Sequence, residues 1–455
     1  MNRILIILLL VPYGFTVNAQ DSIINMYIDS ALSNNLALQQ KEYSYKKSLE
    51  VINEAKRLFL PTISFNASYT IAEGGRMVEI PFGDMMNPVY NNLNQINQVL
   101  NPSAPKYPEI ENMEMSFVRS PEQETKLVAT MPVFNAAIIQ NHKIKKGLAE
   151  VEGISVDIYK RELVKEVKEA YVKYLQAEQA HKLYINTLSV VNQNLKNREI
   201  LFANDKITID EVYTAKAQVK QIELDLAAAN KNRIMASSWF NFLLNRDFDA
   251  EIETVQLAVS VSSNDNLEDV LNASLSNREE FTQFDKYVEI QENNIKLEKG
   301  AALPNVTLFG QYGFQGTDYS FNDETDMAVA GLSMKWNLFT SGQRKSKIQQ
   351  AQIDRQILES RKLEAENQVQ LEVINTYYSL QAAKEGIELA KQELENYQKS
   401  YSFVEKKYQQ GIVNYLEYSN SLNNKLNAEN KLILAQYSYQ LEQIKLERLT
   451  SSYQF

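Results

Sequence analysis

The chain is one pattern written twice. Leu60-Pro61-Thr62-Ile63-Ser64 returns 243 residues later as Leu303-Pro304-Asn305-Val306-Thr307. Phe134 returns as Phe339, and Leu175-Gln176-Ala177 as Leu380-Gln381-Ala382, both 205 residues on. Phe202, Ile207 and Glu211 return as Tyr408, Val413 and Glu417 at a separation of 206. A duplicated supersecondary unit constrains the fold strongly, because both halves must take one shape and bury related surfaces. The separation shrinks by 38 because the first copy carries an insertion. The repeats run over 20–245 and 270–451, joined by an irregular connection at 246–269 and followed by a tail at 452–455.

Inside each repeat the hydrophobic period changes from helical to alternating and back. Ile63, Phe65, Ala67, Tyr69 and Ile71 alternate with Thr62, Ser64, Asn66, Ser68 and Thr70. Leu127, Ala129, Met131 and Val133 follow the same rule, as do Val306, Leu308, Gly310, Tyr312 and Phe314, and then Ala328, Ala330, Leu332, Met334, Trp336 and Leu338. These segments predict strands at about 60–71, 125–134, 303–316 and 326–339. A period of two over about ten residues suits a tilted transmembrane strand with lipid on one face and water on the other. Thr62, Ser64, Asn66 and Lys335 are the lumen-facing candidates on the polar face. A half-buried soluble sheet is the competing reading of any single strand. Four strands are too few to close a barrel, and open edges are not tolerated in lipid, so a membrane reading requires several copies. Eight, twelve or sixteen strands all satisfy that condition.

The segments 136–245 and 341–450 predict long helical hairpins. Leu163, Val167, Ala170, Tyr174, Ala177, His181, Tyr184, Leu188, Val191 and Leu195 step by threes and fours, and Leu380, Ala383, Ile387, Ala390, Leu394, Tyr397, Tyr401, Val404 and Tyr408 do the same. Such a period means coiled-coil packing. The insertion at 72–124 contains Gly74-Gly75, Pro81, Asn87-Pro88 and Pro102, and reads as an external loop made of turns.

Arg3, the apolar run Ile4 to Val11 and the small-residue junction Val17-Asn18-Ala19 predict a secretory signal peptide at 1–19. Removing Arg3 leaves 46 basic against 57 acidic side chains, a balance of −11. An acidic chain without a basic run is a poor nucleic-acid binder. His142 and His181 are far apart and have no metal-ligand spacing, and no phosphate loop or nucleophile elbow occurs. No enzyme, metal site or cofactor is expected.

Tyr408-Gln409-Gln410-Gly411-Ile412-Val413-Asn414-Tyr415-Leu416-Glu417 forms an aromatic-x-x-Gly turn before an acidic helix start, and Asn277-Arg278 with Ala302-Leu303-Pro304 marks a helix-to-strand passage. In these motifs, and in the repeat that carries them, the chain resembles the TolC-like outer-membrane efflux family. Asp205 departs from the pattern, standing in the first tip where the family usually has Gly. The resemblance implies a mainly helical protein with a membrane β-barrel, in which a homotrimer assembles a twelve-stranded barrel in the outer membrane and a helical tunnel through the periplasm. It also implies an exit duct for a tripartite efflux or type I secretion system, docked through a periplasmic adaptor on an inner-membrane pump. The tunnel in that family closes at its helix tips.

Carried onto this sequence, the gate candidates are Glu211, Glu417 and Asn420, and the adaptor-docking candidates are Phe202, Asp205, Tyr408 and Gly411. Helix capping explains Thr208 with Glu211, and Asn414 with Glu417, equally well. Phe202 and Tyr408 also read as the last core residues of their coiled coils. A structural or adaptor-type periplasmic coiled coil without a pore is the alternative function, and it leaves the four alternating strands unexplained.

Overall fold

The structure is a computed structural model that describes residues 19–254 and 266–453. Residues 1–18 of the expected signal peptide, the centre of the connection between repeats and the last two residues lie outside the described residues. The chain divides into two compact units, one formed by 1–52, 143–293 and 350–455 and the other by 53–142 and 294–349.

In chain order the elements are α1 (Ala19–Asn34), α2 (Leu36–Arg57), β1 (Thr62–Thr70), β2 (Met77–Ile80), α3 (Phe82–Leu100), β3 (Met113–Ser116), β4 (Glu122–Phe134), α4 (Ala136–Ala203), α5 (Ile209–Leu243), α6 (Leu267–Asn277), α7 (Glu279–Gly300), β5 (Asn305–Gly316), β6 (Asp326–Lys335), α8 (Gln343–Gln409) and α9 (Tyr415–Leu449). Among the described residues no helix is long and apolar enough to cross a membrane.

The first unit is helical. Its main core joins Tyr27 and Ile28 of α1, Leu163, Val167, Tyr171 and Tyr174 of α4, Phe240 of α5 and Tyr437 of α9. The α4 members recur at three- and four-residue steps, so one stripe of the helix is buried. Tyr27 meets Phe240 edge-on at 4.9 Å, and Tyr171 lies 5.6 Å from Phe240. The two tyrosine hydroxyls are satisfied by backbone: Tyr171 donates to the Glu253 carbonyl and Tyr27 accepts from the Glu253 N–H.

Four helix ends close in the same way. Asp205, Asn245, Gly411 and Ser451 have φ of 55°, 52°, 75° and 51°. The next N–H in each case bonds a carbonyl five residues back: Lys206 to Leu201, Arg246 to Asn241, Ile412 to Lys407 and Ser452 to Glu447. This left-handed closure satisfies carbonyls that a helix end leaves free. Asp205 therefore adopts the same conformation as its repeat-mate Gly411.

A charged joint holds the end of α9. Arg448 donates to Glu162 of α4 at 3.2 Å and to Glu280 of α7 at 2.6 Å, while Arg278 reaches Glu280 at 3.0 Å. Burial pushes the Glu280 carboxyl up, but hydrogen bonds and charge from Arg278 and Arg448 outweigh it and hold the group at about 2, against an ordinary 4.5. A folded-state value depressed in this way adds stability that is complete above the unfolded value and is lost as pH falls through the folded one. Thermal melts followed by helical circular dichroism are therefore expected to fall between pH 4.5 and about 2, and less steeply in the Glu280→Gln chain. Identical pH slopes in the two chains would contradict the charged joint.

The second unit is built on an antiparallel sheet of order β1-β4-β5-β6. The register carries one apolar face across all four strands. Phe65, Leu127, Tyr312 and Ala328 lie in one row, and Ile63, Ala129, Gly310 and Ala330 in the next. Ile63, Phe65, Leu127, Tyr312, Leu332 and Met334 on that face are exposed. Within one copy, β1 and β6 each have only one neighbouring strand among the described residues.

The insertion differs from the expected run of turns. It contains the antiparallel pair β2–β3 and, between these strands in the chain, the 19-residue helix α3. Phe82, Met85, Val89, Leu93, Ile96 and Leu100 are spaced for a helix, but Pro88 and the intervening Asn residues mask the period. Those Asn residues pin the returning chain. Asn87 donates to the Ile110 carbonyl and accepts from its N–H, both at 2.9 Å, and Asn94 does the same with Tyr107 at 2.9 and 2.7 Å.

Candidate gate at the helix tips

The two tips are built alike and finished differently. Asn414 caps α9, its side chain accepting from the Glu417 N–H at 2.9 Å. Thr208, in the equivalent place before α5, makes no side-chain cap. Glu211 turns instead to Arg198 of α4, with Nη1 to Oε2 at 2.5 Å. The two repeat-related carboxylates have thus diverged. Glu211 is half-buried in an ion pair, whereas Glu417 is exposed and has no ion-pair partner among the described residues. Asn420 is exposed one helical turn beyond Glu417.

Arg198 is the residue that the sequence analysis misses. Only 5 % of it is exposed. Its guanidinium lies over the Tyr408 ring at 4.3 Å and the Tyr415 ring at 4.7 Å. A side chain of the first hairpin is thereby held against two rings of the second. The planar, weakly hydrated guanidinium suits this stacking in a way that an ammonium does not. Burial lowers its pKa and Glu211 opposes that shift; arginine remains charged in any case. Arg198 continues the apolar stripe at 191, 195, 198 and 202, and a charge on such a stripe is the signal that could have revealed it.

Around the guanidinium stands a tyrosine cluster. Tyr408 stacks on Tyr418 at 4.6 Å, and Ala215 of α5 packs with Tyr415 and Tyr418. Asn194 donates to the Tyr418 hydroxyl at 2.8 Å, and Tyr415 donates to Gln218 at 2.7 Å. Tyr401 bonds Glu405 at 2.9 Å and meets the Tyr418 hydroxyl at 3.1 Å. Burial pushes the Tyr415 hydroxyl up to about 12, and burial with Tyr418 and Glu405 raises Tyr401. The tyrosine hydroxyls join α9 to α4, α5 and α8.

The docking candidates separate accordingly. Tyr408 belongs to this cluster, Phe202 is exposed, and Asp205 and Gly411 sit at the exposed turns. In the sheet unit, Thr62, Ser64, Asn66 and Lys335 all fall on the face opposite the apolar one, with Thr130, Lys126 and Gln311. Thr62 and Thr130 share a hydroxyl hydrogen bond of 2.8 Å there, and Lys126 pairs with Glu124 at 2.5 Å. That face is less polar than expected in β5 and β6, where Phe309, Met327 and Val329 also lie on it. Among the described residues no group of three or more His, Asp or Glu could hold a metal ion.

Residues 270–452 match the model of the outer membrane efflux protein family. No curated protein matches the sequence. The chain is similar in fold to the Campylobacter jejuni CmeC outer membrane channel, with a TM-score of 0.72 at 13 % identity over 95 % of this chain and 87 % of that one. The Vibrio cholerae outer membrane protein VceC gives 0.71 at 16 % identity over 94 % and 96 %, and the open state of the Neisseria gonorrhoeae MtrE outer membrane channel gives 0.71 at 16 % over 94 % and 88 %. The second repeat therefore carries the sequence pattern of the outer membrane efflux proteins, and the chain has the fold of the TolC-like channels.

Proposed function

We propose that the protein is the outer-membrane exit duct of a tripartite efflux or type I secretion system. Three copies close a twelve-stranded barrel in the outer membrane and extend a helical tunnel into the periplasm. The duct conducts passively what an inner-membrane pump delivers through a periplasmic adaptor. The observation that carries this reading is the four-stranded sheet, with its continuous exposed apolar face and two open edges. Lipid covers such a face and further copies satisfy such edges.

The gate lies at the helix tips. The Arg198 cage ties the two hairpins of each copy together, and the exposed Glu417 carboxylates face the narrowed lumen. Asn420 adds no charge to that ring, which weakens the block by cations. The adaptor docks on the outer surface of the tips, where Phe202 is exposed. Closely spaced carboxylates at a constriction select cations. Protein extracted from the outer membrane and inserted into planar bilayers is therefore expected to give steady, cation-selective conductance. Glu417→Gln is expected to reduce both selectivity and block by divalent cations. Correctly extracted protein that never conducts would overturn the duct and favour the coiled-coil scaffold; a conducting variant with unchanged selectivity and block would remove Glu417 from the gate.

A further inference from the structure

We propose that the three α3 helices of the ring pack against one another as a parallel three-helix cluster over the outer mouth of the duct. The inference rests on the ring proposed above and adds a contact that neither the barrel strands nor the long hairpins supply.

The polar side of α3 is turned inward, onto its own chain. Asn87 and Asn94 hold the returning segment at Ile110 and Tyr107, and Tyr90 stacks on Tyr107 at 5.1 Å. The Asp84 N–H donates to the Asn112 side chain at 3.1 Å. At Gly83 the returning chain comes so close that a Cβ would stand 2.3 Å from the Ile110 carbonyl oxygen. These contacts fix which side of the helix meets the rest of the insertion. The other side carries Phe82, Met85, Val89, Ile96 and Val99, all exposed, with Met85 at 65 %, Ile96 at 55 % and Val99 at 84 %. A surface helix ordinarily turns its apolar stripe toward a core, and a continuous apolar stripe left outside marks an association surface.

The sequence of that stripe points to copies of itself as the occupant. Phe82, Met85, Val89, Asn92, Ile96 and Val99 alternate steps of three and four, the spacing of a coiled-coil seam. Val89, Ile96 and Val99 are β-branched, and such residues at both seam positions favour three or more strands over two. Asn92 is the single polar residue in the seam, and a lone Asn there fixes register. Asp84 is the only charge on α3, so parallel copies meet without repulsion along the stripe. Residues 72–121 hold three basic and six acidic side chains, which gives anionic lipid headgroups nothing to attract. The insertion leaves the sheet between the end of β1 and the start of β4, at the strand ends away from α2 and α4. A ring of copies therefore holds its α3 helices around one axis, where a high effective concentration lets a short coil form.

The chain contains no cysteine, so an introduced thiol reports without background. Ile96→Cys protein of trimeric native mass, oxidised in mild detergent, is expected to run as covalent dimers beside a remnant of single chains, because only two of three thiols around one axis can pair. Reduction should collapse both to one band. Gln98→Cys, exposed on α3 but off the seam, is expected to give several-fold less dimer. If Ile96→Cys does not assemble, Val99→Cys reads the same seam. Equal dimer from Gln98→Cys, or no dimer from either seam variant in trimeric protein, would overturn the cluster and leave the ring standing. In that event, a thiol that a water-soluble maleimide labels readily in the membrane would mean an uncovered face open to a separate partner. One protected in the membrane and labelled in detergent would mean that lipid covers it. A monomeric native mass of the unsubstituted protein would instead contradict the ring itself.

Discussion

Arg198→Gln is expected to raise the resting conductance of the reconstituted protein several-fold. The substitution removes the cation from the Tyr408 and Tyr415 rings and leaves Glu211 half-buried without its partner. Breaking a buried ion pair on one side costs about 3–5 kcal/mol, because the remaining charge stays uncompensated. Part of Glu211 is solvated, which places the effect toward the lower end. That loss falls on the contact between the two hairpins, so the tips loosen while the main core around Phe240 is untouched. Arg198→Lys separates charge from shape: it keeps the cation and loses the planar stack, and is expected to fall between wild type and Gln. Hydrogen exchange at 194–215 and 401–420 is expected to quicken in the same order. Unchanged conductance and unchanged exchange in Arg198→Gln would show that the cage does not hold the gate.

Gly313→Val is expected to abolish assembled protein in the outer membrane. A Cβ at Gly313 would stand 2.3 Å from the Thr125 carbonyl oxygen and 2.5 Å from the Lys126 Cα. The neighbours are backbone of β4 and cannot swing away, so β4 and β5 would have to part. Overpacking costs about 1–3 kcal/mol where side chains can adjust and more where they cannot. The damage falls on the strand pair that joins the two repeats, and it leaves the sheet as two open hairpins. Gly310→Ala is the control three residues away: its Cβ would meet nothing closer than the Val329 carbonyl at 4.0 Å. Trimer yield equal to wild type is expected there. Normal trimer from Gly313→Val would mean that the β4–β5 joint is not as close as described.

Much of this fold is legible because the hydrophobic period is strict. The alternation of Ile63, Phe65 and Ala67, and its echo in Val306, Leu308 and Gly310, marks the strands and their lipid-like face. The three- and four-residue steps of α4 and α8 mark the hairpins for the same reason. The helix α3 was hidden because Asn residues, which a sequence reader takes for turns, serve there as anchors for the Tyr107–Ile110 segment. At the tips, the capping pattern identifies Asn414 with Glu417, but a pattern of residue types does not tell a capping carboxylate from a paired one. Glu211 shows the limit, since its partner Arg198 lies 13 residues away in sequence, across the turn. The cage is legible only in retrospect, as a charge on a stripe that is otherwise apolar.

The most direct test of the central claim is the mass of the native protein extracted in mild detergent from the outer-membrane fraction. Three protomers per particle, found in that fraction, is the predicted result. A soluble monomer, or a two-chain fibre, would contradict the barrel and leave the helical hairpins as a scaffold without a pore.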